Sequence, residues 1–150
     1  MKPEVWGPPI WNLFHSLIEK INDDDYRSIG LELFGFIKQI CNYLPCPECA
    51  NHATRFLSGV KSETVNNKEG LRKIIFILHQ NVNMRKQKKS FAYNDLEIYK
   101  SKNIINVFNN FVNSYKSTTG NMKLLTEGFQ RQMIVKEFRK WFLKNFKSFK

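Results

Sequence analysis

Tyr43-Leu-Pro-Cys-Pro-Glu-Cys-Ala-Asn-His52 is the stretch on which the fold and the chemistry of this chain turn. Pro45 ends the helix before it, because a proline disfavours helical geometry at the residue it follows. Cys46 then stands where a helix N-cap belongs, with Pro47 at the first helical position. A short third helix is predicted from here through Cys49, His52 and Phe56 to about Leu57, closed by Ser58-Gly59. Two cysteines separated by two residues at a helix start can close a small disulfide ring. The helix N-terminus favours a thiolate at the first of them. Cys46 is therefore expected to be the more exposed and to exchange with outside thiols. Cys49 is expected one turn inside, and His52 follows it by three on the same side. The spacing alone leaves zinc open, since Cys46, Cys49, His52 and a distant histidine would make a Cys2His2 site. That would be a zinc-stabilised binding module whose basic tail meets nucleic acid or a membrane. A thioredoxin-like reading needs a βαβ setting that is missing, and haem attachment needs histidine where Ala50 stands.

On both sides of this stretch the apolar residues keep helical spacing, and no period-two strand pattern is convincing. Pro8 and Pro9 are predicted to open a first helix carrying Trp11, Phe14, Leu17, Ile18 and Ile21. Asp23 to Asp25 break it and offer N-caps for a second, whose apolar face is Leu33, Phe34, Ile37, Ile40, Cys41 and Leu44. A fourth helix begins near Lys68 with Leu71, Ile74, Ile75, Leu78 and Val82. Phe91 to Asp95 reads as a turn into a further helix from about Asn103 to Tyr115, and Ser117 to Asn121 as a loop. The last helix carries Leu125, Phe129, Met133, Ile134, Phe138, Trp141, Phe142 and Phe146 against a basic opposite face. The expectation is an all-α chain.

The 150 residues fit one domain or a domain with an appendage. With 42% hydrophobic residues and thirteen Phe, the chain can bury a core despite a net charge of +11. General solubility accounts best for most of that charge, and a ligand phosphate is the next reading for Arg85 to Lys89. No nucleic acid partner is expected. The polar Met1-Lys-Pro-Glu start and the lack of a long apolar run predict neither signal peptide nor transmembrane segment. Three cysteines with one close pair do not form a structural disulfide framework. Cys41, on an apolar helix face, reads as a buried structural thiol.

Several helices direct rings toward what can be one place. Trp11 and His15 share a face, as do His79, Val82 and Asn83, and Cys49 and His52 share a third. Arg85, Lys86 and Lys88 lie just beyond, where a pyrophosphate can be held. A planar anionic dinucleotide suits such a site.

Three separated motifs agree with one family. Trp6-Gly-Pro-Pro-Ile-Trp-Asn-Leu-Phe-His15 resembles the W-G-x-x-x-W-x-x-x-H opening of the Erv/ALR sulfhydryl oxidases. Pro45-Cys-Pro-Glu-Cys-Ala-Asn-His52 is similar to their P-C-x-x-C-x-x-H, and His79-Gln-Asn-Val-Asn83 to their H-N-x-V-N. The resemblance covers roughly residues 5–90. It implies a four-helix bundle with FAD at its open end, and a chain divided into an oxidase domain over 1–100 and a helical C-terminal extension over 101–150. It implies catalytic Cys46 and Cys49, the first facing substrate and the second the flavin. The cofactor-binding residues expected are Trp6, Gly7, Trp11, His15, Tyr43, His52, His79, Val82, Asn83, Arg85, Lys86 and Lys88, with no metal ligand. Electrons would pass from protein dithiols through the pair to FAD and then to molecular oxygen, giving hydrogen peroxide, and homodimers are usual in the family.

Three features depart from the family pattern. Gln80 replaces an asparagine, Tyr43 stands one residue further from Pro45-Cys46 than the family's aromatic, and no second cysteine pair exists. Substrates must therefore reach Cys46 directly or through a separate dithiol carrier protein. Met122 to Arg131 is loosely similar to tails on such oxidases from large cytoplasmic DNA viruses. That points to the host cytoplasm, at viral assembly sites, and to the virion. For the basic last helix, membrane binding, dimerisation and partner docking compete with packing against protein, which suits its bulky Trp and Phe best.

Overall fold

The computed structural model describes residues 3–115 and 122–150, and the loop expected at 117–121 falls outside them. Six α-helices follow in order: α1 (Pro3–Lys20), α2 (Asp23–Asn42), α3 (Pro47–Ser58), α4 (Lys68–Arg85), α5 (Ile104–Tyr115) and α6 (Met122–Lys144). No strand forms among the described residues, so the fold is all-α as the periodicity predicts.

Local chemistry sets most helix ends. Asn22, rather than Asp23 to Asp25, caps α2: its side chain accepts from the Asp25 N–H at 2.7 Å. The three aspartates instead fill the first turn, where negative charge suits the helix dipole. Asn67 caps α4 through the Gly70 N–H at 2.8 Å, and Asn103 receives the Asn106 N–H at 3.0 Å at the start of α5.

The first helix differs from its expected start. It begins at Pro3, so Pro8 and Pro9 lie inside it. Their missing N–H groups cost two early hydrogen bonds. The earlier start places Trp6 and Ile10 four residues apart and buries both, which offsets that loss. Where a simple turn was expected before α5, Tyr93–Ser101 forms a 3-10 segment. Side chains hold it: the Ala92 N–H donates to Asp95 Oδ2, Tyr93 donates to Glu69, and Arg72 lies over the Tyr93 ring.

One continuous core runs through all six helices. The expected apolar face of α2 is buried throughout, as are Leu71, Ile75 and Leu78 of α4. Helix α5 packs along α1, and α6 packs on α2. The last helix turns a different face inward than its Phe and Met content suggests. Arg131, Ile134, Val135, Phe138 and Phe142 are buried, whereas Phe129 and Met133 are 61% and 57% exposed. The surface offered by α2 and α5 accepts the stripe through Phe138 and Phe142: Phe138 lies 5.0 Å from Phe36, and Phe142 stacks on Phe108 at 4.6 Å. One helix cannot present both stripes to the same surface. Lys136, Arg139, Lys140 and Lys144 face outward, as expected of the basic face.

Candidate active site

Cys46 is the N-cap of α3, and its Sγ accepts the Cys49 N–H at 3.2 Å. Both thiols are half-buried, so exposure does not separate an outer cysteine from an inner one. They share the wall of a cavity of about 470 Å³ enclosed by α1, α2, α3 and α4. Ile10, Phe14, Leu44, Ala53 and Leu78 supply apolar wall, and Glu48, His52, Arg85 and Lys86 the polar part. Glu48, between the two cysteines, pairs with Arg85 at 3.0 Å across the mouth.

A second cavity of about 240 Å³ adjoins the first. Gly7, Trp11, Val82 and Lys86 belong to both walls, and Pro8, Asn12, His79, Asn83, Lys88 and Tyr99 complete the second. Its far side is a stack of rings. Trp11 and His79 lie parallel at 4.0 Å, and His79 Nδ1 meets His15 Nε2 at 2.9 Å. Tyr99 and Phe91 close over the two imidazoles at 4.9 and 4.7 Å. Gln80 holds the Phe91 side of this closure. Its amide both donates to and accepts from the Phe91 backbone, at 2.6 and 3.4 Å. These bonds hold Phe91, two residues before the 3-10 segment, against the histidines.

Electrostatics follow burial. Desolvation, and then the neighbouring His79 and Arg72, lower His15 to about 3. Desolvation and then Lys88 lower His79 to about 4, so both rings are neutral at physiological pH. Burial also lowers His52, with Arg85 and Arg55 adding to it. Burial raises the Cys49 thiol to about 11, aided by the hydrogen bond with Cys46, while Lys86 and Arg85 pull the other way.

The structure gathers nearly all the residues expected from the sequence. Trp6, Gly7, Trp11, His52, Val82, Arg85 and Lys86 line the first cavity, and His79, Asn83 and Lys88 the second. His15 stands behind His79 and lines neither, and Tyr43 also lines neither. Cys41 is buried as expected, yet it lies on the wall of the first cavity, with its thiol raised to about 12 by burial. Its place three residues before Leu44 on one helix face was the available signal. Tyr99 had none, because a 3-10 segment carries it.

A polar ligand fits this space. Trp6 Nε1 and His52 Nδ1 are buried with no hydrogen-bond partner among the described residues. Gly7 is buried, yet a Cβ there would meet no heavy atom within 4 Å. A metal does not fit as well: no group of three or more His, Cys, Asp or Glu among the described residues could hold one, and His79 is already engaged with His15. A helical bundle with a dithiol on the wall of a two-lobed, aromatic and cationic cavity defines a redox protein of the dinucleotide-binding class.

The chain belongs to the Erv1/Alr family, whose model matches residues 8–103. It is similar to an FAD-linked sulfhydryl oxidase of African swine fever virus, 29% identical over 101 residues, 67% of this chain and 84% of the relative. A protein of that name from another isolate is 30% identical over 60% of this chain and 75% of its own length. A putative FAD-linked sulfhydryl oxidase of Invertebrate iridescent virus 3 is 29% identical over 60% of this chain and 62% of its own length. No solved structure gives a significant match.

Proposed function

We propose that this chain is an FAD-dependent thiol oxidase that forms disulfide bonds in cysteine-containing proteins. The observation that carries the reading is the placement of Cys46 and Cys49 on the wall of a cavity that also holds the unpartnered Trp6 Nε1 and His52 Nδ1. Trp6, Gly7 and His52 would hold FAD in the first lobe, Trp11, His79, Val82, Asn83 and Lys88 in the second, with Arg85 and Lys86 supplying cations for its pyrophosphate. His15 keeps His79 in place through their mutual hydrogen bond, and Tyr43, which lines neither lobe, is given no contact with the cofactor.

The chemistry at the protein is thiol–disulfide exchange. A substrate thiolate attacks Cys46 Sγ of the Cys46–Cys49 disulfide, and Cys49 leaves as a thiolate. The second substrate thiolate attacks the substrate sulfur of the mixed disulfide, and Cys46 leaves. The substrate has lost two electrons and two protons, and the pair is now a dithiol. Cys46 is the entry sulfur because it caps a helix N-terminus. Cys49 lies against buried wall that opposes its ionisation, and Arg85 and Lys86 favour its thiolate when that form is needed. Bound FAD would supply the acceptor for the electron pair, with molecular oxygen as the final acceptor and hydrogen peroxide as the product.

Residues 1–100 carry this chemistry, and 101–150 form an extension on it. A separate dithiol carrier protein, or direct attack by substrate, feeds Cys46, because the chain has only one cysteine beyond the pair. Family membership supports a homodimer, which light scattering would test. The viral relatives support action in host cytoplasm at assembly sites and in virions, and no helix among the described residues is long and apolar enough to cross a membrane.

Purified protein should be yellow, with about one flavin per chain and no zinc. Cys46→Ser and Cys49→Ser should each abolish oxygen uptake with a dithiol substrate, a loss of about a thousandfold or more. Colourless protein with stoichiometric zinc would overturn the reading.

A further inference from the structure

The family match ends at residue 103, and α5 starts at Ile104. The two helices beyond that point do something specific to the end of α2. A helix C-terminus leaves its last carbonyls without partners. Here the Ile40 carbonyl, which accepts the Tyr43 N–H at 3.3 Å, also accepts from Tyr115 Oη, at the end of α5, at 3.0 Å. Arg131 Nη1, from α6, donates to the Tyr43 carbonyl at 3.3 Å. Tyr115 is fully buried, Arg131 is only 4% exposed, and the guanidinium lies 6.0 Å from the Tyr115 ring. The two donors thus form one unit behind the Ile40–Cys46 segment. From the other side, Thr54 of α3 donates to the Asn42 side chain at 2.7 Å.

The inner side of that same segment is cavity wall, supplied by Cys41, Leu44 and Cys46. Fixing the Ile40 and Tyr43 carbonyls therefore fixes where Leu44 and Cys46 stand. Elsewhere the extension meets α2 mainly through rings, as where Phe36 meets Phe138 and Trp141, with one hydrogen bond from Trp141 to the exposed Glu32 beside them. Apolar packing would have served stability here as well, and a buried guanidinium carries a desolvation cost that packing does not. Its use at a backbone carbonyl three residues before Cys46 indicates a demand for position.

We infer that the C-terminal extension is an intramolecular brace for the redox loop, in which Tyr115 and Arg131 are positioning residues that hold Ile40–Cys46 so that Cys46 and Cys49 keep their exchange geometry. This rests on the thiol oxidase reading for its consequence in turnover. The brace makes two contributions. It limits the loop motion that would let Cys46 drift from Cys49, and it holds Leu44 against the cavity. Small misplacements of reacting groups cost large factors in rate.

The test uses the full-length, flavin-loaded protein. Tyr115→Phe keeps the buried ring and removes one of the two donors to the Ile40 carbonyl, leaving the Tyr43 N–H. With dithiothreitol as substrate, kcat should fall about tenfold with KM within about twofold. The Cys46–Cys49 disulfide equilibrium against glutathione should shift about fivefold or more. Arg131→Met should follow Tyr115→Phe, and Arg131→Lys should recover most of the loss by restoring a cationic donor. Trp141→Phe is the control: it breaks the 2.8 Å bond from Trp141 Nε1 to Glu32 between the same two helices, far from the loop. It should leave kcat and the equilibrium unchanged even where it lowers Tm. Wild-type kcat and equilibrium in Tyr115→Phe, or an equal loss in Trp141→Phe, would overturn the brace. The glutathione equilibrium needs no flavin. A wild-type chain that binds no flavin would therefore sink the oxidase reading while this measurement still decided the brace.

Discussion

Two polar clusters sit on the same pair of helices, α1 and α4, and they are built to opposite rules. In one, Glu19 is 4% exposed and fully served: Arg72 donates to both its carboxylate oxygens, at 2.7 and 3.1 Å, and Lys68 to its backbone carbonyl at 3.0 Å. One turn earlier on α1, and two turns later on α4, His15 bonds to His79, and His79 faces the second cavity. In the adjoining first cavity the polar accounting is left incomplete: Trp6 Nε1 of α1 and His52 Nδ1 of α3 lack partners among the described residues. A buried polar group that serves the fold saturates its hydrogen bonds within the fold. A buried polar group that serves a ligand leaves some of them for the ligand. Burial alone does not tell the two apart; a missing partner does so only beside a cavity, since Ser16 Oγ on α1 also lacks one among the described residues and lines neither cavity.

The comparison predicts that each cluster fails in its own way. Arg72→Met leaves the Glu19 carboxylate buried without its partner, and should lower unfolding stability by about 3–5 kcal/mol in a urea titration. The folded fraction should still bind one flavin per chain. Loss of flavin with no change in stability would reverse the roles assigned to the two clusters. His79→Ala removes the ring stacked on Trp11 and should weaken flavin binding about tenfold, a change of about 1–2 kcal/mol, as read by fluorescence titration. Its effect on apoprotein stability should be smaller than that of Arg72→Met.

Acid separates the clusters further. In the unfolded chain the two imidazoles titrate near 6.5, and in the fold His15 is held near 3 and His79 near 4. Below pH 6.5 the unfolded state therefore binds more protons. The stability that rests on these neutral rings is complete above pH 6.5 and is lost as pH falls toward about 4 and then 3. Urea midpoints measured from pH 7 to 4 should decline, and His79→Ala should flatten that slope by up to about one proton. The smallest effect concerns Cys41. It lines the cavity as a buried thiol, and on the proposed reading the electrons pass through Cys46 and Cys49 alone, so Cys41→Ser should keep oxygen uptake within about threefold of wild type. A loss as large as that of Cys49→Ser would make it a third redox thiol.

Much of the site was legible before the fold was known. Cys46 and Cys49 announce themselves by spacing and by the prolines that place them at a helix start. Trp11 with His15, and His79 with Asn83, sit at intervals that put each pair on one helix face. Other features carried no such mark. Asn22 was hidden beside three aspartates that are equally good caps by composition. Tyr99 reaches the histidines through a 3-10 segment whose hold depends on Glu69 and Arg72 from another helix. On α6, composition favoured Phe129 and Met133, and the structure buries Arg131 instead.

The sequence by itself determined the helices, their caps in part, and which chemical groups share a face. These follow from interactions within a few residues, where a 3.6-residue period and a proline act locally. Only the tertiary structure decided which faces meet: that His15 stands behind His79 rather than beside the ligand, that Cys41 borders the cavity, and that Tyr115 and Arg131 reach the carbonyls before Cys46. Those pairings join residues 64, 75 and 88 positions apart. No local propensity encodes them, because each arises from how the helices fill one core together.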